Sequence, residues 1–419
     1  MVRAKAAKRP VDSPLRLAIV KILIADKIAD SGLAQLRATG HNMEVLPEGS
    51  NDDLLEALAG FRPSVMVVRS TRVSSEMMDA DPNLELIVRA GAGFDTIDVE
   101  AASSRGIFVA NCPGKNSDAV AELTIGLILS LDRRIPDNVR DARSGRWNKA
   151  EYSKARGLKG NTLGVIGLGN IGTRVALAGK SLGMRVIAWS RSLADAEATE
   201  LEIGQIASPV DVAAEADVVT IHVAASPDTY HLADRTFFDA MRPGSHFINT
   251  TRGSVVDEDA LLWAMEEKGI LAAVDVLEGE PDQKEGTISH RLANHPNLYV
   301  THHIGASTMQ AQEATAAEAV RIITSYGETG EVPNCVNLEE HSPATHLLTV
   351  RHLDKIGVLS AVLNEVRRAE WNVQEMENLI FEGAKAACAR IRFNGRPRDE
   401  VVKRIEDHPD VLAVSLIPL

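Results

Sequence analysis

The sequence has 419 residues, of which 45% are hydrophobic and 25% are charged, so two or three domains with cores of their own are expected. The net charge of -13 argues against a nucleic-acid partner, and the run LAIVKILIA, interrupted by Lys21, is too short to cross a membrane. Three scattered cysteines (Cys112, Cys335 and Cys388) do not suit a disulfide framework or a zinc site. They indicate a reducing, cytoplasmic setting and no bound metal.

From Val20 onward, short aliphatic strands alternate with amphipathic helices. VKILIAD, VMVVRS and LELIVRAG are typical of strands, whereas DDLLEALAGF has helical spacing. This alternation predicts a parallel sheet that helices cover on both faces. The segment SDAVAELTIGLILSLDRR follows, and it predicts one long buried helix started by Ser117 and Asp118.

A second strand–helix series runs from Thr162 to about Thr301 and opens with TLGVIGLGNIG. Its glycines Gly167, Gly169 and Gly172 have the G-x-G-x-x-G spacing between a strand and a helix. The first permits a tight turn, the second lets backbone approach a pyrophosphate, and the third lets helix and strand pack closely. The helix N-terminus would present free N–H groups to the phosphates. The segment therefore predicts a dinucleotide site.

The cofactor is NAD or NADP, and the sequence leaves both open. The next strand, MRVIAWS, ends in Ser190 followed by Arg191, where an acidic residue usually binds the ribose of NAD. A neutral residue with a guanidinium can accept the 2′-phosphate of NADP. Arg191 can also stack on adenine or point to solvent while NAD binds.

Polar side chains follow three strands of this second series. Arg252 lies in INTTRGSVVDEDAL, Asp275 and Glu280 lie in AVDVLEGEP, and His303 lies in LYVTHHIGAST. Ligands bind at the carboxyl ends of strands in such sheets. An arginine can hold a carboxylate, a histidine can move the proton that accompanies hydride transfer, and a carboxylate can orient that histidine. Each group also has a structural alternative, as a surface ion pair, a helix-start residue or a satisfied polar group.

A separate module is expected at the C-terminus. The stretch from Gly327 to His346 is polar and rich in Gly and Pro, which indicates a linker. The following strands and helices occur in the order βαββαβ, which is that of the ferredoxin-like motif.

The chain resembles the D-isomer-specific 2-hydroxyacid dehydrogenases over nearly its whole length. The segments that carry the resemblance are VRSTRV, RAGAGFDTIDVEAA, NCPGKNSDAVAEL, GLGNIG, NTTRGSVVDEDAL, DVLEGEP and HIGAST. It implies that Arg252, Glu280 and His303 are the catalytic set. His302 stands where the family usually has proline, but Ile304 and Gly305 identify His303 as the family's histidine.

The resemblance also implies the domain order. Two Rossmann-like parallel-sheet domains are expected: a substrate domain (1–117 and 306–340) interrupted by a nucleotide-binding domain (118–305). A ferredoxin-like ACT domain (341–419) follows. The implied cofactor contacts are Ala92, Gly167, Gly169, Asn170, Ile171, Gly172, Ser190, Arg191, Thr250 and Asp275. The implied substrate contacts are Arg69, Arg89, Gly91, Ala92 and Lys149, and interdomain ion pairing is the alternative for the two arginines.

The resemblance of the C-terminal module to ACT domains implies a homo-oligomer, a dimer or tetramer. Its loop residues His352 and Asp354, with Asn372 before the next strand, match the positions that hold serine in regulated members. Asp354 and Ile356 depart from that pattern, so a module that only dimerises is an equal alternative.

The implied activity is oxidation of 3-phospho-D-glycerate to 3-phosphohydroxypyruvate with a nicotinamide cofactor, the first step of serine synthesis. One alternative is an NADPH-dependent reductase of glyoxylate, hydroxypyruvate or 2-oxoglutarate. Another is a dinucleotide-sensing regulator, against which the complete set of Arg252, Glu280 and His303 argues.

Overall fold

The structure is a computed structural model that describes residues 19–47, 49–280, 290–339 and 342–419. The chain divides into two compact units, Met1–Asn337 and Leu338–Leu419. No helix in the described part combines the length and apolar character needed to span a membrane.

The first sheet of the larger unit is parallel and has five strands among the described residues. Their order is β2-β1-β3-β4-β5, which places a topological switch point between β1 and β3. Strands β1 and β3 are almost wholly buried because helices cover both faces of the sheet. The bounds are β1 Lys21–Ile24, α1 Asp30–Ala38, β2 Asn42–Val45, α2 Asn51–Phe61, β3 Val65–Val68, α3 Ser75–Ala80, β4 Leu86–Arg89, α4 Val99–Ser104 and β5 Phe108–Asn111.

The second sheet of the same unit is also parallel, with seven strands in the described part of the chain. Its order is β12-β11-β10-β9-β6-β7-β8, so the strand order reverses between β6 and β9. The bounds are β6 Thr162–Ile166, α7 Asn170–Ser181, β7 Arg185–Trp189, α8 Asp195–Glu200, β8 Gly204–Gln205, α9 Pro209–Glu215, β9 Val218–Ile221, α10 Arg235–Ala240, β10 His246–Asn249, α11 Glu258–Glu267, β11 Leu271–Val274 and β12 Leu298–Val300.

One helix leads from the first sheet to the second, and another leads back to the first. The helix α5 (Ser117–Arg133) leads out of the first sheet and packs on α7, β10 and β11 of the second, and α6 (Ile135–Arg143) follows it. The helix α12 (Met309–Thr329) returns from the second sheet to pack against α1 and β4 of the first. The helix α5 begins at Ser117 as predicted, but its N-cap is Asn116, which makes no side-chain cap hydrogen bond.

The smaller unit contains an antiparallel sheet of four strands within its described residues. The strand order is β14-β15-β13-β16, and two helices pack their apolar faces on the sheet around Trp371 and Phe393. The bounds are β13 His346–Leu353, α13 Val358–Arg368, β14 Asn372–Ile380, β15 Ala386–Asn394, α14 Asp399–Glu406 and β16 Val411–Pro418. The prediction of two parallel-sheet folds and a C-terminal βαββαβ module is confirmed.

Candidate active site

The glycine loop lies between β6 and α7, at the point where the strand order of the second sheet reverses. Gly167 has φ +94°, and a Cβ there would lie 2.5 Å from His222 O. A Cβ on Gly172 would lie 1.8 Å from Gly167 O, so the loop can close only over glycine. A Cβ on Gly169 would meet nothing within 4 Å. The protein therefore encloses the loop at Gly167 and Gly172 and leaves space at Gly169, where a pyrophosphate would approach.

The residues that follow β7 differ in exposure, since Ser190 is half-buried and Arg191 is exposed. Ser190 follows the strand, and the Arg191 side chain is 84% exposed, with its Nη1 3.6 Å from Asp228 Oδ2. Both partners of this ion pair face solvent, so the pair contributes little to stability. The Arg191 guanidinium therefore remains accessible to a ligand at the strand end.

His303 and Glu280 are in direct contact. The Nδ1 atom of His303 lies 2.8 Å from Glu280 Oε1, and both side chains are part exposed. A neutral His303 therefore carries its proton on Nδ1 and donates it to the carboxylate, which leaves the Nε2 lone pair free. His302, the alternative histidine, is also exposed.

A buried carboxylate holds the loop that carries His303. Asp275, after β11, accepts hydrogen bonds from Thr301 Oγ1 (2.6 Å), Ile304 N (2.9 Å) and Gly305 N (2.8 Å). The Asp275 carbonyl accepts a further bond from His303 N at 2.9 Å, and His303 has φ +51°. Asp275 was predicted as a cofactor contact, but both its carboxylate oxygens bind this loop. It fixes an otherwise unfavourable backbone turn beneath the histidine.

Arg252 follows β10 in a turn that Asn249 organises. The Asn249 side chain accepts from Thr251 N at 3.0 Å and donates to Arg252 O at 2.9 Å. The next residue, Gly253, packs directly on the chain after β11, since a Cβ there would lie 2.2 Å from Leu277 C. Glycine at this position lets the Arg252 turn lie against the segment that leads to Glu280.

The Arg252 guanidinium reaches across to the first sheet and binds Asp95, in the loop after β4. Its Nη2 donates to Asp95 Oδ1 at 3.0 Å and its Nε lies 3.3 Å from Asp95 Oδ2. A Cβ on Gly93 would lie 2.0 Å from Arg252 Nη2. Partial desolvation raises the pKa of the Asp95 carboxyl, but hydrogen bonds and charge from Arg252 outweigh it and keep that pKa below its ordinary value.

Arg89 lies in the same loop region as the Arg252–Asp95 pair. Its guanidinium covers Gly91, where a Cβ would be 1.4 Å from Arg89 Nη1, and its buried Nε has no partner among the described residues. Burial lowers the pKa of Arg89, and the charges of Arg252 and Arg69 lower it further. Three guanidinium groups therefore share one electropositive region.

Arg69 is held through its backbone. The Oδ2 atom of Asp26, after β1, accepts from the N–H groups of Arg69 (2.7 Å), Ser70 (2.9 Å) and Thr71 (2.8 Å). The chain turns around this buried carboxylate at the switch point between β1 and β3. Asp26 fixes where the Arg69 side chain leaves the backbone.

Other predicted contact residues have varied surroundings. The Thr250 hydroxyl lies 3.1 Å from Thr124 Oγ1 of α5, and the Ala92 carbonyl accepts from Asn111 Nδ2 at 2.6 Å. Asn170 and Ile171 are the first residues of α7, as a phosphate-facing helix start requires.

Lys149 lies in an exposed turn, and its amine makes no hydrogen bond or ion pair with the described residues. The structure does not connect Lys149 to the arginine region.

The three predicted effector residues do not converge within one copy of the C-terminal unit. His352 is buried, its Nδ1 donates to Leu353 O at 2.7 Å, and its Nε2 lies 3.3 Å from Asn378 Oδ1. It is opposite Ala387 of β15, whereas Asn372 is opposite Asn394, seven positions away. That spacing corresponds to roughly 24 Å along a strand. Asp354 lies in the loop beyond His352, at the end away from Asn372.

The described residues contain no group of three His, Cys, Asp or Glu side chains arranged to hold a metal ion.

The part of the chain that contains the second parallel sheet matches a known protein family. Residues 125–305 match the model of the D-isomer specific 2-hydroxyacid dehydrogenase, NAD binding domain. A curated glyoxylate reductase from Thermococcus litoralis is 36% identical over 294 residues, which are 68% of this chain and 86% of that relative. The chain belongs to the D-isomer specific 2-hydroxyacid dehydrogenase family. The predicted family is thereby confirmed, and so is the prediction of NAD as a cofactor.

Two further comparisons cover much of the chain. D-3-phosphoglycerate dehydrogenase from Archaeoglobus fulgidus is 33% identical over 348 residues, which are 82% of this chain and 64% of the relative. The chain thus spans less than two thirds of that relative's length. The crystal structure of TT0316 protein from Thermus thermophilus has a TM-score of 0.68 at 32% identity, and the match covers 75% of this chain and 99% of that one.

Sequence reasoning did not single out three residues of this site. Asp95 binds Arg252, Asp26 holds the Arg69 loop, and Gly253 lets the Arg252 turn approach the Glu280 segment. Asp95 lies within GAGFDTIDVEAA and Gly253 directly follows Arg252, so both were inside noted motifs. Asp26 is the last residue of the segment VKILIAD and lies two residues beyond β1, at the edge where ligands bind.

Proposed function

We propose that this protein oxidises 3-phospho-D-glycerate to 3-phosphohydroxypyruvate, as a dehydrogenase of the first step of serine synthesis. The observation that carries the proposal is the 2.8 Å contact between His303 Nδ1 and Glu280 Oε1. This pair occurs at the carboxyl edge of the sheet that holds the glycine loop. Arg252 follows the neighbouring strand β10 at the same edge.

The proton chemistry follows from the tautomer of His303. With Nδ1–H directed at Glu280, Nε2 accepts the proton of the substrate hydroxyl as the C2–H bond breaks and C2=O forms. Glu280 then stabilises the imidazolium by charge and hydrogen bonding, and it keeps the ring in one orientation. A bound nicotinamide supplies the acceptor for the hydride that leaves C2.

Binding of a phosphorylated hydroxy acid suits the arginine region. Arg252 would hold the substrate carboxylate in two-point contact and polarise the forming carbonyl. Arg69 and Arg89, with the Ala92 N–H, would hold the remaining charges of the substrate, whereas the Gly91 N–H already donates to Arg89 O at 2.8 Å. The unpartnered Nε of Arg89 supports an anion there, because a buried guanidinium donor is costly without an acceptor.

The glycine loop fits a dinucleotide. The open space at Gly169 would admit the pyrophosphate, and N–H groups at Asn170 and Ile171 would face it. Thr250 would border the nicotinamide, whereas buried Asp275 would support the site indirectly, because its carboxylate, N–H and carbonyl all bind neighbouring residues. We expect the domain to bind NAD and also to accept NADP, since Ser190 leaves no carboxylate to repel a 2′-phosphate.

The substrate assignment is tested by steady-state oxidation of 3-phospho-D-glycerate and D-glycerate, and by reduction of glyoxylate. We expect kcat/KM for the phosphorylated acid to exceed that for D-glycerate by about 100-fold, because charged hydrogen bonds to phosphate are strong. Arg69→Ala should reduce this preference and leave D-glycerate turnover nearly unchanged. A preference for glyoxylate or D-glycerate would instead identify a reductase of simple 2-oxo acids, which Ser190 and Arg191 favour.

The cofactor assignment is tested at the end of β7. Arg191→Ala should weaken NADP binding by about tenfold and change NAD binding by less than twofold, because only NADP carries the phosphate that a guanidinium can bind. Ser190→Asp should weaken NADP binding further by charge repulsion. Arg185→Ala, at the opposite end of the same strand, is the matched control. Equal loss of NAD and NADP affinity in Arg191→Ala would contradict the phosphate contact.

The C-terminal unit is proposed to join two copies of the chain. Its edge strand β14 has an outer side without a paired strand in the described structure and exposes Met376, Leu379 and Ile380. Such an edge tends to pair with a second strand. His352 is buried and its Nδ1 donates to Leu353 O within its own chain, so we do not expect it to hold serine. L-serine added to the oxidation assay should leave the rate unchanged, and inhibition by serine would contradict this.

A further inference from the structure

The Arg252 guanidinium is only partly free, and its existing contacts determine how it can meet a ligand. Its Nε and Nη2 face the Asp95 carboxylate, and its Nη1 donates to Thr251 O at 2.8 Å. A guanidinium has five N–H donors, so three are engaged here and one remains on each Nη atom. Those two N–H groups are the donors with which Arg252 could bind a substrate carboxylate.

The contact joins the two parallel sheets of the larger unit. Asp95 lies in the loop after β4 of the first sheet, and Arg252 lies in the turn after β10 of the second. The Arg252 side chain is 28% exposed and that of Asp95 is 58% exposed, so the carboxylate stands at the surface side of the arginine. The pair therefore fixes the guanidinium relative to both sheets.

The backbone of the loop after β4 also fits closely around the guanidinium groups. The loop backbone comes so close to Arg252 that a Cβ on Gly93 would overlap Nη2, at 2.0 Å. The adjacent Gly91 is covered in the same way by Arg89. The loop thus has glycine, without a side chain, at the two positions that the guanidinium groups cover. Its carboxylate, that of Asp95, follows two residues after Gly93.

We propose that Asp95 is a positioning residue for the reaction: it holds Arg252 by its Nε and Nη2 side, so that the remaining Nη donors face the substrate carboxylate. This inference rests on the role proposed above for Arg252. Without Asp95 the flexible arginine side chain would sample several rotamers, and only some of them would meet the substrate. Small errors in the placement of a binding group are costly for catalysis.

The test compares Asp95→Asn with Asp79→Asn. Asp79 makes a similar two-point ion pair with Arg105 (2.8 and 2.9 Å) on the surface of the same unit, so its variant controls for loss of such a pair. We expect Asp95→Asn to lower kcat/KM for the hydroxy acid by about tenfold and to weaken binding of the carboxylate probe oxamate by a similar factor. Asp79→Asn should change neither.

Two further variants keep the inference falsifiable. A Cβ on Gly93 would lie 2.0 Å from Arg252 Nη2 and 2.9 Å from Asp95 Oδ1, both side-chain atoms, so Gly93→Ala should fold, displace the ion pair and raise the oxamate Kd. In an Arg252→Lys background, Asp95→Asn should change oxamate binding by less than twofold, because its effect acts through the arginine. An unchanged oxamate Kd in Asp95→Asn would overturn the inference, as would an undiminished effect of Asp95→Asn in Arg252→Lys.

Arg252→Gln separates this inference from the proposed function. If Arg252→Gln abolishes turnover and oxamate binding while Asp95→Asn behaves like Asp79→Asn, only the role of Asp95 is wrong. If Arg252→Gln retains the wild-type kcat/KM, the proposed role of the arginine itself is wrong.

Discussion

Replacing His303 by Asn should lower kcat by about 10²- to 10⁴-fold, which is the usual contribution of a positioned acid–base group. The asparagine side chain cannot take up the hydroxyl proton that Nε2 accepts in the proposed reaction. Binding of the cofactor, measured by quenching of protein fluorescence, should change by less than twofold, because the glycine loop is untouched. The measurement is steady-state oxidation of the hydroxy acid with saturating NAD.

His302→Asn is the matched control for this experiment. The two histidines are adjacent and both are exposed, but only the His303 ring contacts Glu280. We expect His302→Asn to retain at least half of the wild-type kcat. If His302→Asn loses activity and His303→Asn retains it, the proton transfer belongs to the neighbouring residue.

Replacing Gly172 by Ala should abolish detectable cofactor binding and destabilise the fold by about 3 kcal/mol. The added Cβ would lie 1.8 Å from Gly167 O, and the atom it meets is backbone, which cannot rotate away. The loop would have to open, and the start of α7 would move from the strand. Thermal denaturation and fluorescence titration with NADH would measure the two effects.

Two other glycines separate loss of stability from loss of binding. Gly169→Ala meets no protein atom within 4 Å, so its melting temperature should stay close to wild type while its NADH affinity falls by about tenfold or more. Gly126→Ala, within α5 and equally free of contacts, should keep NADH affinity and gain slightly in stability. Wild-type NADH affinity in Gly169→Ala would mean that the pyrophosphate does not approach this position.

Sequence patterns were sufficient to predict the fold because strand length, helical periodicity and glycine spacing are local properties. The β6–loop–α7 unit is one continuous stretch, so its glycines could be assigned without tertiary information. The strand-end positions of Arg252 and His303 were predictable for a similar reason. Parallel strands present their carboxyl ends at one edge, and this brings residues that are distant in sequence together.

The contacts that depend on long-range geometry could not be predicted. Asp95 and Arg252 are separated by 157 positions and come from different sheets, so no spacing rule connects them. The register of β13, β15 and β14 places His352 and Asn372 far apart, and ladder register is not visible in the sequence. The family resemblance implied a cofactor contact at Asp275, but it could not show that both carboxylate oxygens accept hydrogen bonds from the loop that carries His303.

The turn that Asp26 organises has a consequence for how selectivity can change in this scaffold. Three successive amides converge on one oxygen, an arrangement that elsewhere captures phosphate, yet here the chain's own carboxylate already occupies it. In the substrate site proposed above, recognition of an incoming anion is therefore left to the arginine side chain at position 69. Replacing the Arg69 side chain would then change which acid the proposed enzyme prefers, and the backbone conformation of the turn would stay the same.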